Sequence, residues 1–276
     1  LLGILLKIMG YKGKLITYVR FLPNSRPPIL RRIWLALAVK YADRIVAVSD
    51  AVLKQLPKTE KALRIYNTVH FSEFLPEKCM GDQTVIRLLY VSNYIPGKGQ
   101  NYALDAFKIA FIKDRRLRLI FMGGDMGLQK NRLYREGLQK LVAEAGLSEV
   151  VEFLPFELRV ENRIKNSEIV LNFSESESFS MTCAEACFYG APVIATRCGG
   201  PEEIIIHEKT GLLVDNKNVQ QMADAILRLA GNPNLQKEFG RNAREYVLQK
   251  FNKVNFEATF KNFLTSLARP ETAYEN

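Results

Sequence analysis

The chain has 276 residues, of which 47% are hydrophobic and 25% are charged, and its net charge is +10. This composition is that of a folded globular protein and excludes a disordered or collagen-like chain. The two histidines are isolated, and the four cysteines form no C-x-x-C pair, so we predict no metal site. We interpret the cysteines as reduced thiols of a cytoplasmic protein.

The positive charge is concentrated in the N-terminal part. Residues 1–80 contain 14 lysines and arginines against five acidic residues, whereas the rest of the chain is almost neutral. No nucleic-acid recognition motif accompanies this excess, so we expect no nucleic-acid partner. A peripheral contact with an anionic membrane surface fits better, since each basic residue near such a surface adds about 1 kcal/mol. An ordinary solvated surface is the alternative interpretation. The apolar residues 1–9 are too few to span a membrane.

Strand-like apolar runs recur along the chain, and helical stretches separate most of them. This alternation predicts an α/β protein with parallel sheets covered by helices. After residue 219 the pattern changes to three helices, with breaks at 231–233 and 251–252. The predicted strands cover residues 14–19, 44–48, 63–65, 85–92, 117–122, 150–154, 168–173, 192–196 and 212–214.

A region of weak periodicity, residues 67–83, contains Pro76 and Gly81 and is the best candidate for a linker. We therefore predict four parts in the chain. An N-terminal domain remnant (1–70) precedes the linker (71–83), a ligand-binding domain follows (84–250), and a last helix (251–276) packs back toward the N-terminal part.

The segment 174–203 is the most informative part of the sequence. A buried strand, a polar turn and a helix over 179–189 follow one another there, and ligands of open α/β sheets bind beyond the carboxyl ends of the strands. Glu177, in the turn, could reach a sugar hydroxyl, and Glu185, in the helix, could accept hydrogen bonds from a ribose. Free backbone N–H groups at the helix start would form an anion site for a diphosphate, at Ser180, Met181 and Thr182.

The spacing of Glu177 and Glu185, followed by Gly190-Ala-Pro and by Gly199-Gly200-Pro-Glu, resembles the E-x7-E signature of the retaining nucleotide-sugar glycosyltransferases of family 4. This resemblance implies the GT-B fold, in which two Rossmann-like domains contain parallel sheets. The chain also has no D-x-D motif, with which the other main glycosyltransferase fold usually holds a divalent metal. We therefore expect a site that needs neither metal nor cofactor.

A second segment, 91–99, resembles the family's G-R-x-x-x-x-K-G loop and precedes a predicted helix over 101–112. The resemblance implies that Lys98 binds the donor diphosphate and that Asn93 occupies the place of the family's arginine. Three other positions depart from the common pattern. Serine replaces glycine at Ser178 and Ser180, and Arg20 stands where many members have a histidine.

By resemblance, the intact enzyme transfers a hexosyl unit from a nucleoside diphosphate sugar to a hydroxyl of a saccharide or lipid-linked acceptor, with retention, in polysaccharide or glycolipid biosynthesis. Glu177 would be its catalytic residue, and a location in the cytoplasm, at the inner face of the membrane, is expected. The short stretch before the linker predicts that the N-terminal domain is incomplete. This leaves open a non-catalytic nucleotide-sugar-binding module that acts with a partner. An epimerase or a phosphorylase of the same fold is a further alternative.

Overall fold

The computed structural model describes residues 2–69 and 84–268. The predicted linker over 71–83 and the final residues 269–276 lie outside the described residues. The chain divides into two compact units. The described residues of the first unit are 2–69 and 250–268, and those of the second are 84–249.

The first unit contains a three-stranded parallel sheet with the order β1-β2-β3. Its strands are β1 (Ile16–Val19), β2 (Arg44–Ala47) and β3 (Ala62–Arg64). Its helices are α1 (Leu2–Ile8), α2 (Pro28–Tyr41), α3 (Asp50–Leu53) and α11 (Lys253–Ala268), with a 3-10 turn at Pro23–Ser25.

Specific side-chain contacts explain two of these helices. Ser49 caps α3, because its Oγ accepts a hydrogen bond from the Val52 N–H at 3.1 Å. The apolar side of α11 packs on the small sheet, where Phe263 joins the buried Val46 and Ile65. Residues at the C-terminal end of the described chain therefore complete the core of the N-terminal unit.

The second unit contains a six-stranded parallel sheet with the order β6-β5-β4-β7-β8-β9. In this order the chain runs outward from β4 in one direction, returns, and then runs outward from β7 in the other. The result is the doubly wound Rossmann arrangement, with its topological switch point between β4 and β7. The strands are β4 (Ile86–Val91), β5 (Leu117–Met122), β6 (Val151–Leu154), β7 (Ile169–Asn172), β8 (Val193–Thr196) and β9 (Gly211–Val214).

Helices lie between these strands and after the last one, and apolar residues of the helices pack against the sheet. They are α4 (Gln100–Lys113), α5 (Gln129–Glu144), α6 (Glu161–Lys165), α7 (Met181–Phe188), α8 (Pro201–Ile204), α9 (Val219–Ala230) and α10 (Pro233–Lys250).

All nine predicted strands are confirmed within two residues of their expected bounds, and so are the three helices after residue 219. The predicted helix over 179–189 is shorter than expected. It begins at Met181, because Ser180 has a positive φ of 78° that no α-helix accommodates.

Among the residues that the structure describes, no helix combines the length and the apolar character needed to cross a membrane.

Candidate active site

The switch point brings together the two loops that the sequence singled out. The loop around Lys98 follows β4, and the turn around Glu177 follows β7. These two strands are hydrogen-bonded neighbours, with Leu88 beside Ile169. Because both strands are parallel, both loops leave the same edge of the sheet, where ligands of such folds bind.

Lys98 and Glu177 form an ion pair at this edge, with 2.7 Å between Nζ and Oε1. The Ser174 hydroxyl donates a hydrogen bond to the same carboxylate oxygen at 2.9 Å. The backbone of Glu177 is also held on both sides. Its N–H donates to the carbonyl of Cys198 at 3.1 Å, and its carbonyl accepts from the Gly200 N–H at 2.8 Å. Two of the predicted site residues are therefore in direct contact and well fixed.

Tyr90 fixes the position of the Lys98 loop from below. Its ring is fully buried, and its hydroxyl donates to the Lys98 carbonyl at 2.5 Å while it accepts from the Phe173 N–H at 2.7 Å. Burial raises the pKa of this phenol well above its usual value, so the hydroxyl keeps its proton. Sequence reasoning missed Tyr90, whose only signal is a hydroxyl within the apolar run 88–91.

The start of α7 presents backbone N–H groups to the same edge. Met181 and Thr182 occupy the first turn, where N–H groups have no partner within the helix. Ser180 caps the helix: its Oγ accepts from the Cys183 N–H at 3.4 Å and from the Asn172 Nδ2 at 2.9 Å. The first turn of α7 thus lies where the sequence predicted N–H groups for an anion, and the binding of an anion there stays a prediction.

Two substitutions separate the side-chain hydrogen bonds of Ser180 from the strain of its positive φ. Ser180→Ala keeps the strained φ but leaves the buried amide of Asn172 without its acceptor, so we expect a loss of about 1–3 kcal/mol in the free energy of unfolding. Ser180→Gly loses the same hydrogen bonds but relieves the backbone, so its loss should be smaller by about 1 kcal/mol. Urea unfolding measures both. An equal loss in the two variants would show that the positive φ carries no cost.

Glu185 lies further along α7 and is half-buried. Within the described part of the chain, no hydrogen bond or ion pair holds its carboxylate. Burial, with a smaller contribution from the Glu161 carboxylate, raises the pKa of Glu185. A carboxylate that is partly desolvated without a protein partner is suited to accept hydrogen bonds from a ligand.

This raised pKa has a consequence for stability. The folded state holds the Glu185 proton more tightly than the unfolded state, so the contribution of Glu185 is favourable at low pH and is lost as the pH rises through the folded-state pKa. We expect Glu185→Gln to unfold at a higher temperature than the wild type near neutral pH. The difference should vanish below about pH 4, where the carboxyl group is protonated in both states. Thermal unfolding measured across this pH range tests the sign.

Asn93 lies in the same loop as Lys98, but its side chain points elsewhere. Its Oδ1 accepts a hydrogen bond from the Gly124 N–H at 3.2 Å, and its carbonyl accepts from the Gln100 side chain at 2.9 Å. Among the described residues, Asn93 makes no hydrogen bond with Lys98 or Glu177. Asn93 thus links the loop that follows β4 to the loop that follows β5. Its contact with the donor stays a prediction.

A second ion pair, which the sequence did not reveal, borders the site. The Glu175 carboxylate forms an ion pair with Lys217 Nζ at 2.8 Å and accepts a hydrogen bond from the Tyr102 hydroxyl at 2.9 Å. Hydrogen bonding to Lys217 lowers the pKa of Glu175. The Glu175 N–H donates to the Gly97 carbonyl at 2.9 Å, and its carbonyl accepts from Asn216 at 2.8 Å. Glu175 therefore connects the loops that follow β4, β7 and β9.

The cysteines of this unit are free thiols inside the protein. Cys183, Cys187 and Cys198 are buried, and burial raises the pKa of Cys187 and of Cys198 to about 12. The fourth, Cys79, lies outside the described residues. In the described ranges, no group of three or more His, Cys, Asp or Glu side chains is arranged to hold a metal ion.

Solved structures share this architecture. Anabaena Alr3699/HepE, crystallised with UDP and glucose, matches 96% of this chain and 74% of its own, with a TM-score of 0.84 at 21% identity. Sucrose-phosphate synthase from Thermosynechococcus elongatus matches 95% of this chain and 69% of its own, with a TM-score of 0.82 at 20% identity. These likenesses show that the fold is of the GT-B type, as predicted.

Sequence comparison identifies the family. Residues 54–246 match the model of the glycosyl transferases group 1. The chain therefore belongs to this family, and the predicted resemblance to a glycosyltransferase family is confirmed. An uncharacterized glycosyltransferase of Methanocaldococcus jannaschii is 32% identical over 248 residues, which are 85% of this chain and 65% of that protein.

A second relative is the N-acetyl-alpha-D-glucosaminyl L-malate synthase of Bacillus anthracis. It is 25% identical over 247 residues, which are 84% of this chain and 62% of that protein. The chain thus spans less than two thirds of the length of these curated relatives.

Proposed function

We propose that this site binds a nucleoside diphosphate sugar and that the protein transfers the sugar, with retention at the anomeric carbon, to a hydroxyl acceptor. The observation that carries the proposal is the Lys98–Glu177 pair, placed at the switch point beside the N-terminus of α7. A cation, a carboxylate and free N–H groups at one sheet edge are what a diphosphate and a neighbouring sugar require.

Each residue has a distinct role in this proposal. Lys98 and the N–H groups at the start of α7 hold the diphosphate, and a charge-assisted hydrogen bond from Lys98 is worth about 1.5–3 kcal/mol. Glu177 accepts hydrogen bonds from the sugar and stabilises positive charge that develops at the anomeric carbon. Glu185 accepts hydrogen bonds from the ribose hydroxyls.

The chemical step balances without a further protein base. The bond between the anomeric carbon and the phosphate oxygen breaks, and the acceptor oxygen attacks from the same face of the sugar. The acceptor proton passes to an oxygen of the leaving phosphate, whose negative charge Lys98 neutralises. We propose that this reaction needs no metal or other cofactor, so activity should persist in the presence of a chelator.

UDP is the first nucleotide to test, because UDP occupies the crystal structures of HepE and of TarM from Staphylococcus aureus. Thermal unfolding of the protein with UDP, GDP and ADP should show one nucleotide that raises the melting temperature, by about 5–10 °C at a hundredfold excess over Kd. Glu185→Gln should lose this rise while remaining folded. A response to none of the three nucleotides, or an equal response in the variant, would contradict the proposed donor site.

The identity of the acceptor follows from a separate experiment. The relatives include an N-acetyl-alpha-D-glucosaminyl L-malate synthase, a D-inositol 3-phosphate glycosyltransferase and a poly(ribitol-phosphate) alpha-N-acetylglucosaminyltransferase. We propose a saccharide or lipid-linked hydroxyl acceptor in polysaccharide or glycolipid biosynthesis. Release of free UDP from UDP-sugars, assayed with and without such acceptors, distinguishes an enzyme from a binding module. Nucleotide binding without turnover on any acceptor would favour the module.

A further inference from the structure

The first unit carries an open apolar groove beside helix α2, far along the chain from the donor loops. The groove has a volume of about 430 Å³. Six of its lining residues are apolar or aromatic and two are arginines: Phe21, Pro23, Leu30, Ile33, Trp34, Leu37, Arg26 and Arg31. We call this surface the α2 groove.

Large apolar side chains on α2, in and beside the α2 groove, are exposed to solvent. Ile29 is 73% exposed, Leu30 is 62% exposed and Ile33 is 53% exposed. Ile33 lies four residues after Ile29 and three after Leu30, so the three side chains form one apolar stripe on the same side of α2. A contiguous stripe of this kind on a soluble surface marks a contact with something apolar.

Along the chain, the charged residues next to the stripe are all basic. From Arg20 to Tyr41 the sequence has five basic residues and no acidic residue. The Arg26 guanidinium lies over the Phe21 ring, 5.0 Å from its centroid, and Arg32 is exposed on α2. The nearest acidic residue along the chain, Asp43, is already paired with Lys7 and Lys14.

The combination of exposed apolar residues and arginines distinguishes between three possible partners of this surface. Nucleic acid would satisfy the arginines but offers no apolar phase for Ile29 and Ile33. A second copy of this surface would place Arg26 and Arg32 against the same two arginines, which repel one another. An anionic lipid bilayer satisfies both features, because acyl chains accept the apolar stripe and the headgroups attract the arginines.

We propose that the α2 groove docks on an anionic membrane surface, with α2 lying in the plane of the interface. The exposed isoleucines enter the boundary between headgroups and acyl chains, and the arginines contact lipid phosphates. This docking uses no residue of the donor site, so it stands or fails independently of the proposed function.

Trp34 offers a direct test, because it is the only tryptophan of the chain and lines the groove. Vesicles that mix phosphatidylglycerol with phosphatidylcholine should shift the Trp34 emission to shorter wavelength, and brominated lipids should quench it. Pure phosphatidylcholine vesicles should have much less effect. High salt should weaken the response, since it screens the attraction to the headgroups.

Two double variants separate the contributions, each with a matched control on the second unit. Arg26→Gln/Arg32→Gln should bind anionic vesicles about 30-fold more weakly, since each basic residue contributes about fivefold. Its control is Lys237→Gln/Arg241→Gln, which removes two exposed charges from α10. Ile29→Gln/Ile33→Gln should bind at least about 10-fold more weakly. Its control is Ile112→Gln/Leu158→Gln, at positions that are 72% and 90% exposed.

Several results would overturn the proposal. Equal binding of the α2 variants and their controls would remove the groove from the contact. An equal response to neutral vesicles would exclude recognition of an anionic surface. A Trp34 shift that depends on protein concentration, without vesicles, would assign the groove to contacts between copies. Circular dichroism establishes that each variant is folded, and the wild-type Trp34 experiment requires no substitution.

Discussion

Replacing Glu177 with glutamine is expected to lower the turnover number by about 10²–10³-fold without loss of UDP binding. The carboxylate would act on the sugar, so its charge matters mainly in the transition state. Glu177 is also bound to Lys98 at 2.7 Å, so it would compete with the diphosphate for this lysine. Removing this competitor should leave Lys98 free for the nucleotide, so UDP should bind the variant as tightly as the wild type or more tightly.

Steady-state kinetics with a UDP-sugar and calorimetric titration with UDP measure the two effects. Glu144→Gln, at an exposed position of α5 outside the site, is the control and should change neither quantity. Weaker UDP binding by Glu177→Gln would indicate that the pair with Glu177 holds Lys98 in its binding position. Full turnover by the variant would remove Glu177 from the mechanism.

Gly99→Ala is expected to give the largest loss of stability, about 2–5 kcal/mol in the free energy of unfolding, together with loss of UDP binding. Gly99 has a φ of +83°, and a Cβ placed there would lie 2.0 Å from the Phe173 carbonyl oxygen. Neither backbone can move easily, because the Tyr90 hydroxyl bonds to the carbonyl of Lys98 and to the N–H of Phe173. An alanine would therefore force the Lys98 loop away from β7.

Gly97 provides a matched control in the same loop. It has a φ of +90°, but a Cβ there would meet no atom within 4 Å. Gly97→Ala should cost about 1–2 kcal/mol from backbone strain alone. Urea unfolding of both variants isolates the effect of close approach. Equal losses would show that the two loops can separate without consequence.

The sequence was sufficient to predict the strands, most clearly those of the second unit that are buried on both faces. In Ile169–Asn172, for example, every residue is buried and the first three are apolar, so the polar turn that follows is conspicuous. The same contrast indicated the loops that follow β4 and β7. The resemblance to a known family then gave Lys98 and Glu177 expected roles, which stay predictions.

Contacts between distant residues could not be predicted in this way. Lys98 and Glu177 are 79 residues apart, and their pairing depends on β4 and β7 being neighbours in the sheet. The backbone of Ser180 was also beyond prediction, since serine is an ordinary helix cap and its identity does not indicate a positive φ. Glu175 and Lys217 likewise meet only because three loops converge.

Side-chain hydroxyl groups anchor the loops of the site by hydrogen bonds to main-chain carbonyls. Tyr90 holds the carbonyl of Lys98, Thr196 holds that of Ser174 at 2.6 Å, and Thr182 holds that of Val91 at 3.3 Å. Residues beneath the loops therefore fix part of each loop's path through its main chain, in addition to the contacts that the loop side chains Glu175 and Asn93 make themselves. Exposed loop positions without such contacts are expected to tolerate substitution while this frame persists. If these loops bind a donor sugar, as proposed, substitutions at such positions would change the preferred sugar without a new fold.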